Sequence, residues 1–122
     1  MKKLTIVALL LLLGFSSWSQ KKELIEDKAR IEERAKSELQ AAMSPPEGSL
    51  YLFGQKYGIR GEYTYDITIR EKGDIATVFV VGNENGTVDA QNKLKDCLME
   101  FDFSFKMPKG KLYKFRYTFA FS

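Results

Sequence analysis

Histidine is missing from this chain and cysteine occurs once, at position 97. The first absence removes the commonest general base, the usual zinc ligand and every Ser-His or Cys-His dyad. The second removes thiolate metal sites, Cys-x-x-Cys redox chemistry and any intramolecular disulfide. A Gly-rich phosphate loop is also lacking, since Gly82 and Gly86 only bracket Asn and Glu in a turn-like stretch. Carboxylates remain, and Glu62, Asp66 and Asp74 are a set that could converge. Strand geometry explains two of them more simply, because residues two and four apart share one side of a strand. The sequence is therefore read as non-enzymatic, with no cofactor and no metal.

Long hydrophobic runs are equally scarce. The one of note, Leu4 to Phe15, follows Lys2 and Lys3 and leads to the small residues Ser17 and Ser19. That is the pattern of a secretory signal peptide over residues 1–19, cut between Ser19 and Gln20. A bilayer-spanning helix needs about 20 apolar residues, so no stable membrane span is expected after processing. No Cys follows the run to take a lipid. The expected location is periplasmic or secreted. Processing would remove two of the 19 basic residues and none of the 16 acidic ones, lowering the net charge from +3 to about +1. The basicity is thus no nucleic-acid footprint.

Proline appears three times, at 45, 46 and 108. Lys21 to Met43 accordingly has no breaker, and its Ala, Glu, Lys, Arg and Leu content predicts a charged helix within residues 20–44. Leu24, Ile31, Ala35, Leu39 and Ala42 form a narrow apolar seam, while pairs such as Glu32 with Lys36 sit at helical reach. The seam suits either docking on the rest of the domain or self-association of residues 21–43 with another chain. Residues 45–49 read as a short linker. Leu50 to Phe53 then suggests a brief extended segment that could add a strand.

From Gly61 the pattern becomes regular. Tyr63, Tyr65, Ile67 and Ile69 alternate with polar residues, which is a strand with one wet face. Glu71-Lys72-Gly73-Asp74 interrupts it, and Gly73 can take the positive φ of a tight reversal, so Ile75 to Val81 should return as the antiparallel partner. Asn85-Gly86 marks a second turn, and the Asn85-Gly86-Thr87 sequon is read as part of that turn rather than as a modification site. Ala90, Leu94, Cys97, Leu98 and Phe101 then recur at helical spacing, with Asp89 in the first turn. Cys97 lies on that stripe and is read as a structural thiol. Lys111 and Leu112 open a last strand in which Tyr113, Phe115, Tyr117, Phe119 and Phe121 share one face. Lys114, Arg116, Thr118 and Ala120 share the other. No acid follows Asp102, so Lys106, Lys109, Lys111, Lys114 and Arg116 form a basic stripe. The fold class is α+β, a small antiparallel sheet of order β-β-α-β covered by one helix, over residues 50–122.

The ordered set Gly58-Ile59-Arg60-Gly61, Lys72-Gly73-Asp74, Val88-Asp89-Ala90 and Met107-Pro108-Lys109-Gly110-Lys111, closed by a terminal Phe, resembles the C-terminal domain of TonB-type energy transducers over residues 58–121. A Tyr-Pro motif before Gly58 and a long Pro-rich linker, common in that family, are not found. The resemblance implies a non-catalytic interaction module of the bacterial envelope, linked to transport. It also implies that the last strand, Lys111 to Phe121, is the edge that meets an envelope protein such as an outer-membrane receptor. There an extended segment would be taken up by β-augmentation, main-chain bonds giving affinity. The other expectation is a small secreted structural or ligand-binding domain without a transport role, because fold does not fix function.

Overall fold

Alternating burial builds the centre of this protein. In the computed structural model, which describes residues 22–122, strand β2 spans Gly61–Arg70. Its Tyr63, Tyr65, Ile67 and Ile69 are all fully buried, while the residues between them face the wet side, as a period of two demands. Strand β3, Ile75–Glu84, returns antiparallel through a turn in which the Gly73 N–H donates to the Arg70 carbonyl at 2.9 Å. Gly73 has φ +90° there, and a Cβ on it would overlap the Phe105 carbonyl oxygen. Only glycine satisfies both demands. Strand β5, Leu112–Phe121, lies on the other side of β2, so the order is β3-β2-β5.

Two long helices cover one face of this sheet. Helix α3, Val88–Met99, starts at Thr87, whose side chain accepts from the Ala90 N–H, and buries Leu94 and Leu98. It is pinned by the Tyr65 hydroxyl, which donates to the Gln91 carbonyl at 2.7 Å. Helix α1, Lys28–Ala42, buries Ile31, Ala35, Leu39 and Ala42 in the same core as Phe115 and Phe119 of β5. The helical part of its apolar seam is thus docked on this chain's own sheet, the first of the two roles expected for it, whereas Leu24 lies outside the helix and is 49% exposed.

Three further differences from the sequence reading have local causes. Lys22 to Asp27 is not helical: Glu23–Leu24 form strand β1, parallel to β4 at Phe105–Lys106, and the Ile25 N–H donates to the Lys106 carbonyl at 2.9 Å. Asp27 then caps α1 by accepting from the Arg30 N–H. Leu50 to Phe53, expected to be extended, lies within helix α2, Ser49–Tyr57. Burial of Leu50 and Gly54 decides it: a Cβ at Gly54 would overlap the Phe121 ring, and Gly58 ends the helix with φ +61°. Finally, the sheet is covered by α1 as well as by α3, because the seam of α1 needs an apolar surface and β5 presents one. The signal-peptide reading and its cleavage point lie outside the described residues.

A polar clasp holds the amino-terminal segment in place. The Arg34 guanidinium reaches Glu23 and Glu38, each at 2.8 Å, and the Ser104 hydroxyl at 2.9 Å. Lys22 donates to Asp102 at 2.7 Å and to the Lys72 carbonyl at 2.9 Å, so the clasp also touches the β2–β3 turn.

Candidate functional site

The sequence directs attention to residues 111–121, and the structure places them at one margin of the sheet. All ten residues of β5 pair with β2 in an unbroken antiparallel register from Gly61 opposite Phe121 to Arg70 opposite Leu112. Among the described residues no strand lies on its other side. Which main-chain groups are free follows from alternation. The Arg70 N–H donates to the Asp74 carbonyl at 2.8 Å, so Arg70, Thr68, Asp66, Thr64 and Glu62 direct their main chain toward β3. Ile69, Ile67, Tyr65 and Tyr63 therefore direct theirs toward β5. On β5 the partners of these residues, Tyr113, Phe115, Tyr117 and Phe119, are bonded inward. Leu112, Lys114, Arg116, Thr118 and Ala120 turn their N–H and C=O groups outward.

Side chains on β5 divide between two faces. Phe115 and Phe119 are buried, and Tyr113, Tyr117 and Phe121 pack against the same core. Phe119 meets Tyr65 edge-on with ring centroids 5.9 Å apart, a favoured aromatic geometry. Tyr113 donates its hydroxyl to Glu32 of α1 at 2.6 Å. Burial, and then the Glu32 carboxylate, push the Tyr113 phenol up to about 12. Glu32 is held below the usual carboxylate range by its hydrogen bonds from Lys36 and Tyr113.

On the solvent face Arg116 grips Asp66 of β2 through two bonds, 2.9 and 3.2 Å. That hydrogen-bonded guanidinium lowers the Asp66 carboxyl from its ordinary value. Thr118 and Thr64 share a hydroxyl bond of 2.8 Å. Lys111 and Lys114 have no ion-pair partner among the described residues, and Lys111, expected to open the strand, lies just before it. Of the basic stripe, Lys114 and Arg116 share the solvent face of β5, and Arg116 is neutralised by Asp66.

The carboxylates considered for chemistry do not converge. Asp66 serves Arg116, and Asp74 faces Arg70 at 3.6 Å. Glu62 lies four residues from Asp66 along the same face of β2. No group of three potential metal ligands occurs among the described residues. Cys97 is half-buried, and burial followed by the Glu100 charge raises its thiol, which makes it a poorer nucleophile. A depression of about 180 Å³ lies between α2 and the end of β5, flanked by Met43, Tyr51 and Phe121, and a more open one of about 620 Å³ is lined by Arg60, Glu62, Glu84 and Asn85.

The opposite margin of the sheet escaped the sequence reading. Strand β3 carries Phe79, Val80 and Val81 in succession, 59%, 39% and 45% exposed. An uncharged apolar run reads the same in sequence whether its strand is inner or outer, and only the strand order settles which it is.

No protein-family model matches the chain, and no curated protein matches it. Among solved structures it is similar to the TonB-CTD of Helicobacter pylori, determined by NMR in solution. The match has 18% identity and a TM-score of 0.42, covering 73% of this chain and 78% of that one. The architecture described above, an antiparallel sheet with helices packed on one face, defines an α+β domain. No helix among the described residues is long and apolar enough to cross a membrane.

Proposed function

We propose that this chain is a non-catalytic interaction module of the bacterial envelope, which captures an extended segment of an outer-membrane protein on the β5 edge. The observation that carries the reading is the geometry of β5: ten residues in regular register on one side, with alternate main-chain groups turned outward on the other, where no strand lies among the described residues. An incoming strand finds donors and acceptors at Leu112, Lys114, Arg116, Thr118 and Ala120. Lys111 and Lys114 favour a segment carrying acidic side chains. The signal-peptide pattern before Gln20 and the TonB-like motif set in the sequence support a periplasmic setting.

A pair of proline substitutions tests it. The Thr118 N–H points outward, so Thr118→Pro removes a donor from the free edge with little damage to the core. The Phe119 N–H bonds β2, so Phe119→Pro breaks the ladder. With the parent protein as bait for an envelope fraction, Thr118→Pro loses the captured protein while its thermal midpoint barely moves, and Phe119→Pro unfolds. Retention of the captured protein by a folded Thr118→Pro variant, or no capture by the parent, leaves a secreted structural domain as the better reading.

A further inference from the structure

The two margins of the sheet are built differently. Natural edge strands are usually protected from one another by charge, and β5 follows that rule with Lys114 and Arg116 exposed on its solvent face. Two β5 edges brought together would set those bases against each other, and the one acid that neutralises Arg116 lies a strand inward. Strand β3 breaks the rule. From Ile75 to Gly82 it has no charged residue, and its most exposed members are Phe79, Val80 and Val81.

We infer that the β3 edge pairs with the β3 edge of a second copy of this chain, antiparallel about a two-fold axis at Phe79. Alternation fixes the register. Asp66 directs its main chain toward β3 and stands opposite Phe79, so Phe79 is bonded inward and Val78 and Val80 turn their N–H and C=O groups outward. With Phe79 on the axis, Val78 of each copy faces Val80 of the other, and the two residues exchange both main-chain bonds. That makes four bonds across the interface. The two Phe79 side chains then meet at a non-hydrogen-bonded position, where cross-strand neighbours are closest and an aromatic pair is favourable. No charge is desolvated and none is opposed within this stretch, which is why a second copy fits here and not at β5.

The pairing is short by construction. At one end Asp74 is bridged to Asp102, and the Phe103 N–H donates to the Gly73 carbonyl at 2.9 Å, closing the edge before Ile75. At the other end the register shifts between Thr64 and Tyr65, a bulge on β3 that bends the strand away. Thr77 to Val81 is left, so the dimer is weak and depends on concentration.

Sedimentation velocity of the protein as its producing cell processes it, over a concentration series reaching roughly millimolar, tests the inference. The parent's mean mass rises toward that of a dimer. Phe79→Lys and Phe79→Glu, at an exposed position that does not endanger folding, each remain monomeric. An equal mixture of the two associates, because opposite charges then meet on the axis. Val80→Pro is monomeric with an unchanged thermal midpoint, and Thr118→Pro still dimerises, which separates this edge from β5. The inference is overturned by a parent that stays monomeric throughout, by a dimer that survives Phe79→Lys, or by a mixture no more associated than its components. Loss of the dimer in a folded Thr118→Pro variant, or capture of a different protein's extended segment at β3 without self-association, overturns it as well.

Discussion

At the scale of single residues, the tie between Tyr113 and Glu32 joins β5 to α1 and makes stability depend on pH at both extremes. Tyr113 has its folded pKa raised from 10.0 to about 12. Its contribution is therefore fully present below pH 10 and is lost as the pH rises through about 12, when the phenol no longer donates. Glu32 has its folded pKa lowered, so its share is present above the ordinary carboxylate range and is lost as the pH falls. The difference in urea midpoint between the parent and Tyr113→Phe should stand on a plateau near neutrality and shrink at each extreme. A difference that stays constant from about pH 3 to about pH 12 would show that the hydroxyl does not contribute in this way.

At the scale of elements, α3 is where pattern and packing agree best. Leu94 and Leu98 are fully buried while Asp96 is exposed. Leu98→Ala should cost about 2–5 kcal/mol through the cavity it leaves, and Asp96→Ala less than about 0.5 kcal/mol. Equal losses in urea melts would place the helix face wrongly. The hairpin was legible for a similar reason, since a period of two and a turn glycine are local signals. Helix α2 was not. Leu50, Tyr51, Leu52 and Phe53 are contiguous apolar residues, which suit a short strand or a buried helix equally. What selects the helix is Gly54 under the Phe121 ring, a contact 67 positions distant in sequence. Gly58, noted in the sequence only as the first of the set Gly58-Ile59-Arg60-Gly61, does its work as the helix terminator.

At the scale of the whole molecule, the contents of the sheet could be read but its margins could not. Phe79 and Phe115 both lie on marginal strands, yet the register against β2 sets Phe79 opposite Asp66 on the solvent face and Phe115 opposite Ile67 on the core face, leaving one 59% exposed and the other 6%. The amino-terminal clasp was hidden for the same reason, because Glu23 opposite Phe105 is a pairing no local pattern announces. Ile25, next to that pair, is 1% exposed and belongs to the common core. Ile25→Ala should therefore lower stability by about 2–5 kcal/mol and do so within one cooperative transition. A separate early transition in chemical denaturation would mark residues 22–25 as an independent strap.

The clasp also has a mechanical consequence. Strands β1 and β4 run parallel, and β4 leads on to β5. A pull applied at Lys22 and resisted by whatever holds β5 acts on the two short strands in opposite directions along their length. The load is then carried in shear, shared by the bonds of the clip and by the Arg34 and Lys22 contacts at once, instead of parting them singly as in a zipper. Tension entering at the amino-terminal end would thus reach the far margin of the sheet before the fold gives way.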